Sequence, residues 1–152
     1  MTETVFIPPE GTRMRRGGAL IPPLLIIPFL IYNALALTLY QGNPDAWRSG
    51  SLFSVPMVSG QTWTLTPGDL LLVVGLICLF FEVLKSTNTG RSSVIEHMLS
   101  TALFVVFLIE FLLTGAAASS TFFLLMIMAI VDVVAGFTIS ITGAGRDVTM
   151  TG

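Results

Sequence analysis

Four apolar runs stand out along the chain, at residues 19–40, about 67–84, about 97–114 and about 121–141. Each approaches the roughly 20 residues that a helix rising about 1.5 Å per residue needs to cross a bilayer. None alternates apolar and polar positions with the period of two that barrel strands show, so each is predicted to be a helix. The predicted fold is all-α, a four-helix transmembrane bundle, with residues 1–152 forming one integral membrane domain. Residues 41–66 form the one long connection, and at roughly 26 residues it is too short to build its own core.

Polar punctuation sharpens the ends of these runs. Thr66, Pro67 and Asp69 read as an N-cap, a proline at the first helical position and an acid in the first turn. Ser93 and Glu96 have the spacing of a capping box ahead of the third helix. Gly115 and the small residues up to Ser120 leave room only for a tight turn, which makes the third and fourth helices an antiparallel hairpin. Gly143 and Gly145 are expected to end the fourth helix. Pro28 falls inside the first run, where it should kink the helix and free the carbonyl of Leu24. Tyr40, Trp47 and Trp63 suit an aromatic belt at a membrane interface. The same loop also suits a lid over a substrate or partner.

Charge orients the bundle. Arg13, Arg15, Arg16, Lys85, Arg91 and Arg146 fall on one side of the predicted spans, and Arg48 alone on the other. Positive residues stay cytoplasmic, so the expected topology is N-in/C-in with residues 41–66 outside. Arg15-Arg16, the apolar stretch and Ala34-Leu35-Ala36 also admit a cleaved signal peptide covering residues 1–36. The length of the run and its prolines Pro22, Pro23 and Pro28 speak against cleavage, and the twin arginine reads as topogenic charge.

Composition narrows the function classes. The chain is 53% hydrophobic and 11% charged, against about 25% charged in soluble domains. A soluble globule so composed would present an apolar, aggregating surface, and a disordered chain needs the opposite balance. A net charge of -2 gives no electrostatic reason to bind nucleic acid. The single cysteine, Cys78, forbids an internal disulfide, and the single histidine forbids a bis-histidine haem within one chain.

Chemistry, if present, should involve the residues that a bilayer tolerates poorly. An aspartate at a helix centre costs about +2.5 to +3.5 kcal/mol on insertion scales, which calls for compensating partners. Measured from the Gly68, Thr114 and Ser120 ends, Asp132 lies roughly 18 Å deep, Glu82 roughly 21 Å, and Lys85 and His97 roughly 25 Å. Asp132, Glu82, Lys85 and His97 are therefore expected to form one polar cluster, with Glu82 and Lys85 paired at i, i+3. Glu110, only roughly 6 Å deep, is level with Tyr32 and Asn33 and makes a separate outer site with them. Packing hydrogen bonds, or a place at headgroup level, are the plainer account of these groups.

Other signals are faint. Gly143-Ala144-Gly145 is no phosphate loop, and no HExxH, Ser/His/Asp set or paired Glu-x-x-His occurs. Thr138, Ser140 and Thr142 suit local hydroxyl-to-carbonyl bonding. The stretches Trp63-Thr64-Leu65-Thr66-Pro67-Gly68-Asp69-Leu70, Phe80-Phe81-Glu82-Val83-Leu84-Lys85 and Ile130-Val131-Asp132-Val133-Val134-Ala135-Gly136-Phe137-Thr138 resemble a group of small four-span inner-membrane proteins of alphaproteobacteria. The resemblance covers about residues 63–147 and leaves out the first 60. It implies a bacterial inner membrane and carries over no site residues.

The expected function is that of a non-enzymatic membrane protein without cofactor or metal, an accessory subunit or small scaffold. Its partners would be the bilayer and either another membrane protein or further copies of itself. The rival expectation is proton or small-ion movement, with Asp132 central, Glu82, Lys85 and His97 as an inner relay and Glu110 as the entry. A quinone- or lipid-modifying enzyme rests only on the acids and His97.

Overall fold

The structure, a computed structural model, describes the backbone of residues 22–87 and 91–149, with the side chains of 91–94 and 143–149 left out. The arginines of the N-terminal tail, the first three residues of the first apolar run, and the side chains of Arg91, Ser93 and Arg146 lie outside that description. In chain order the elements are α1 (Ile26–Thr38), α2 (Ala46–Ser49), β1 (Phe53–Pro56), β2 (Thr62–Leu65), α3 (Pro67–Ser86), α4 (Arg91–Leu113), a 3-10 turn (Gly115–Ala117) and α5 (Ser120–Thr149).

Three of these helices are long and apolar enough to cross a membrane: α3, α4 from Ile95 and α5 up to Thr142. α1 is apolar but has only 13 residues, about 20 Å of rise. Its late start has a local cause. Pro23 holds Pro22 away from helical geometry, and the first turn forms only with Ile26 N–H to the Pro23 carbonyl (3.1 Å) and Ile27 N–H to the Leu24 carbonyl (3.0 Å). Pro28 therefore sits in the first turn, where its missing N–H breaks no bond. The expected kink and the freed Leu24 carbonyl do not occur.

α3 begins as its sequence implies. Asp69 N–H donates to Thr66 Oγ1 (3.2 Å), Thr66 N–H donates back to Asp69 Oδ2 (2.9 Å), and Pro67 follows the cap. Two other boundaries differ from expectation. α4 is already helical at Arg91, so Ser93 lies within it rather than ahead of it. α5 continues through Gly143 and Gly145 to Thr149; glycine costs a helix only about 1 kcal/mol relative to alanine, and no proline follows to stop it. The loop 41–66 is not wholly irregular, since β1 and β2 pair antiparallel with Phe53 opposite Leu65 and Val55 opposite Trp63. Gly60 closes their turn at φ +82°, a conformation that favours glycine.

Helix packing follows a seam of buried positions three and four apart. On α3 these are Gly68, Leu71, Gly75, Cys78, Glu82 and Ser86. On α5 they include Phe122, Leu125, Ala129, Asp132 and Gly136, and on α4 His97, Ser100, Leu103 and Phe107. Near the hairpin the seam is aromatic. Tyr32 stacks on Trp47 (4.4 Å, 11°) and meets Phe122 edge-on (4.8 Å), while Phe107 contacts Phe29 (4.7 Å) and Phe122 (5.3 Å). Trp47 is 1% exposed, so it belongs to the core and not to an interfacial belt. Lying beneath α1 and Tyr40 buries more of its ring than any loop on the surface offers. Trp63, on β2, is 49% exposed.

Candidate functional site

The far half of the same seam is polar. Glu82 is 1% exposed and both its oxygens are engaged. Oε2 pairs with Lys85 Nζ at 2.9 Å, one turn along α3. Oε1 accepts the backbone N–H of Leu24. That N–H precedes α1, where no intrahelical acceptor exists, and the helix's own N-cap, Leu25, supplies no side chain. Glu82 thus caps α1 from another helix, and its negative charge sits at the positive end of the α1 dipole.

Lys85 also lies 3.8 Å from Glu96 on α4, so one ammonium bridges carboxylates from two helices. One turn beyond Glu82, Ser86 Oγ donates to the Glu82 carbonyl (3.0 Å). On α4, His97 is 7% exposed and its Nε2 shares a hydrogen bond of 2.8 Å with Ser140 Oγ on α5. The ring rests on Gly136. A Cβ built there would come within 2.5 Å of His97 Nδ1, so the absence of a side chain admits the imidazole. Phe137 flanks the same ring at 5.9 Å. Asp132, 4% exposed, lies beside the Ser100 hydroxyl and within electrostatic reach of Glu82, Lys85 and His97.

The structure therefore brings Asp132, Glu82, Lys85 and His97 into one region of three packed helices. Each element supplies its residue at a seam position, or one step from it, which is why phase and depth together locate the group. The sequence pattern alone does not single out the Leu24 N–H, Ser100, Ser140 or Gly136. Ser140 is expected, with Thr138 and Thr142, to bond local carbonyls. Those two threonines do bond back to Val134 (2.8 Å) and Thr138 (2.7 Å), whereas Ser140 turns to His97. The spacing of Asp132, Gly136 and Ser140, four residues apart on one face, is the signal that marks it.

The second predicted site divides. Asn33 Nδ2 donates to Glu110 Oε2 at 3.1 Å and to the Phe29 carbonyl at 3.3 Å. Tyr32 faces another way. Its hydroxyl donates to the Ala116 carbonyl (2.7 Å) and shares a hydrogen bond with Ser119 Oγ (2.7 Å), and Ser119 Oγ also accepts from Phe122 N–H (3.1 Å). Successive helix residues differ by about 100°; Asn33 bonds Glu110 directly, and Tyr32 bonds the α4–α5 turn while staying within electrostatic reach of Glu110.

Among the described residues, no group of three or more His, Cys, Asp and Glu is placed to hold a metal ion. The arrangement suits two tasks: fastening helices through charged and hydrogen-bonded pairs, and passing a proton among carboxyl, imidazole and hydroxyl groups. No family model matches the sequence, and no curated protein or solved structure matches it.

Proposed function

We propose that this chain is a non-enzymatic integral protein of a bacterial inner membrane, an accessory subunit or small scaffold that acts through membrane partners. In this reading α1, with the apolar residues before it, completes a fourth crossing, and both termini are cytoplasmic. The observation that carries the proposal is how the buried polar groups are used. Glu82 holds the start of α1 and Lys85, Lys85 reaches Glu96, His97 reaches Ser140, Asn33 reaches Glu110, and Tyr32 reaches the α4–α5 turn. Each joins two segments of the chain or lies one step from a group that does, which is what a bundle built to present a stable apolar exterior requires. Apolar side chains such as Leu76, Phe80, Leu112 and Val134 remain exposed along α3, α4 and α5, free to meet lipid or another helix.

Native mass spectrometry after extraction in mild detergent tests the reading. A second membrane protein at fixed stoichiometry, or a stable homo-oligomer, is the expected result. A chain that stays monomeric under every mild condition overturns it. One observation favours proton or small-ion movement as a second reading. Asp132 is buried among charges, and among the described residues it makes no ion pair. In proteoliposomes that reading requires Asp132→Asn to abolish a proton flux carried by the wild type, and an unchanged flux removes it.

A further inference from the structure

A cavity of about 350 Å³ lies between α1 and α3 at the end that carries α2 and the hairpin. Ile31, Leu35, Tyr40, Trp47, Leu70 and Val74 form most of its wall. From Pro67 to Val74 the wall follows α3 for about 11 Å, which makes the cavity a groove parallel to the helices. It opens sideways, because Leu70 is 47% and Leu39 65% exposed along it. The volume is at the lower end of the ~300–1,000 Å³ typical of small-molecule sites. A second helix, about 10–12 Å across with its side chains, is too wide to enter. A single hydrocarbon chain is not, and hydrocarbon is the medium that α3 meets in a membrane.

One isolated positive charge follows the lining residue Trp47 in the chain. Arg48 follows Trp47 in the single turn of α2 and is exposed, and no other Lys or Arg occurs between Arg16 and Lys85. Among the described residues Arg48 makes no ion pair. Two acids share this end of the molecule. Asp69 is occupied by Thr66, accepting from its N–H (2.9 Å) and its hydroxyl (2.7 Å); Asp45 precedes α2 and is exposed. An apolar slot whose Trp47 wall is followed directly by a lone, exposed arginine matches a ligand with a long apolar tail and an anionic head.

We propose that the groove holds one acyl chain of an anionic phospholipid, with its phosphate against Arg48. The charge favours a headgroup without an ammonium of its own over a zwitterionic one. This site is independent of whichever protein partner the chain has.

The experiment uses the full chain reconstituted in nanodiscs of equal phosphatidylglycerol and phosphatidylcholine, then released into mild detergent for native mass spectrometry. Wild type is expected to retain one lipid, with phosphatidylglycerol preferred about fivefold, the factor that one Lys or Arg near a charged headgroup supplies. Arg48→Gln changes an exposed side chain and should keep the lipid while losing the preference. Val74→Trp and Leu35→Trp fill the groove from opposite helices, and whichever of them folds should lose the lipid. The proposal is overturned if wild type retains no lipid, if retention survives a tryptophan in the groove, if the preference survives Arg48→Gln, or if a second copy of the chain takes the lipid's place.

Discussion

The two ends of the bundle are built on one spacing and held by different forces. Near the hairpin, Tyr32, Trp47, Phe107 and Phe122 fill the seam with fully buried rings, and the polar contacts there involve neutral donors such as the Tyr32 hydroxyl and the Asn33 amide. At the other end the same seam positions carry Glu82, Asp132 and His97, with Lys85 beside them. Ring packing is additive and tolerant, because each contact contributes dispersion and excluded area independently. A buried ion pair is conditional, because either partner alone is worse than neither. The difference teaches that the aromatic end should lose stability in proportion to what is removed, whereas the ionic end should respond to whether charge remains matched.

Trp47→Ala breaks the aromatic end most severely. It removes a side chain 1% exposed that touches Tyr32 and Tyr40, and large-to-small changes of this kind cost about 4 kcal/mol. Helicity followed by circular dichroism during denaturant titration in detergent should show that loss. The loss should come from packing area, because the ring stacks on Tyr32 and meets Tyr40 edge-on.

Lys85→Met strips the ionic end of its ammonium and leaves Glu82 charged and buried. The expected loss is about 3 kcal/mol. The sharper test is the double variant Glu82→Leu with Lys85→Met, which removes both charges and should recover most of that loss despite the orphaned Leu24 N–H. If the double variant is less stable than Lys85→Met alone, charge matching is not what governs this end.

Asn33→Leu has the smallest expected effect, about 0.6 kcal/mol, the average for a hydrogen bond between membrane helices. It breaks the 3.1 Å contact with Glu110 but leaves the rings untouched. A loss as large as that of Lys85→Met would show that Glu110 belongs with the conditional, charged class.

The same division explains what could be read from the chain beforehand. Glu82, Lys85, Asp132 and His97 meet because helical rise and phase are nearly invariant, so position along a long helix converts to depth and direction. Long apolar runs likewise announced α3, α4 and α5. Events that depend on contacts between distant segments were not legible. Trp47 looked like a belt residue because nothing local shows that α1 and Tyr40 will cover it. The β1–β2 ribbon does not show in the sequence because its strands have only four residues each, too few for a period to declare itself. α5 runs past its expected end because two glycines weaken a helix without stopping it, and Pro28 makes no kink because the start of α1 depends on Pro22 and Pro23 before it.

The bond between Leu24 and Glu82 spans 58 positions in the chain, and that separation imposes an order on biosynthesis. The first apolar segment leaves the ribosome well before the residue that satisfies its opening N–H has been made. Until then the segment carries an unpaired donor that hydrocarbon penalises by several kcal/mol. In the proposed fourth crossing, that donor stays in contact with water or protein during the interval. Synthesis of α3 supplies the missing acceptor, so the start of α1 settles only after a helix made later in the chain.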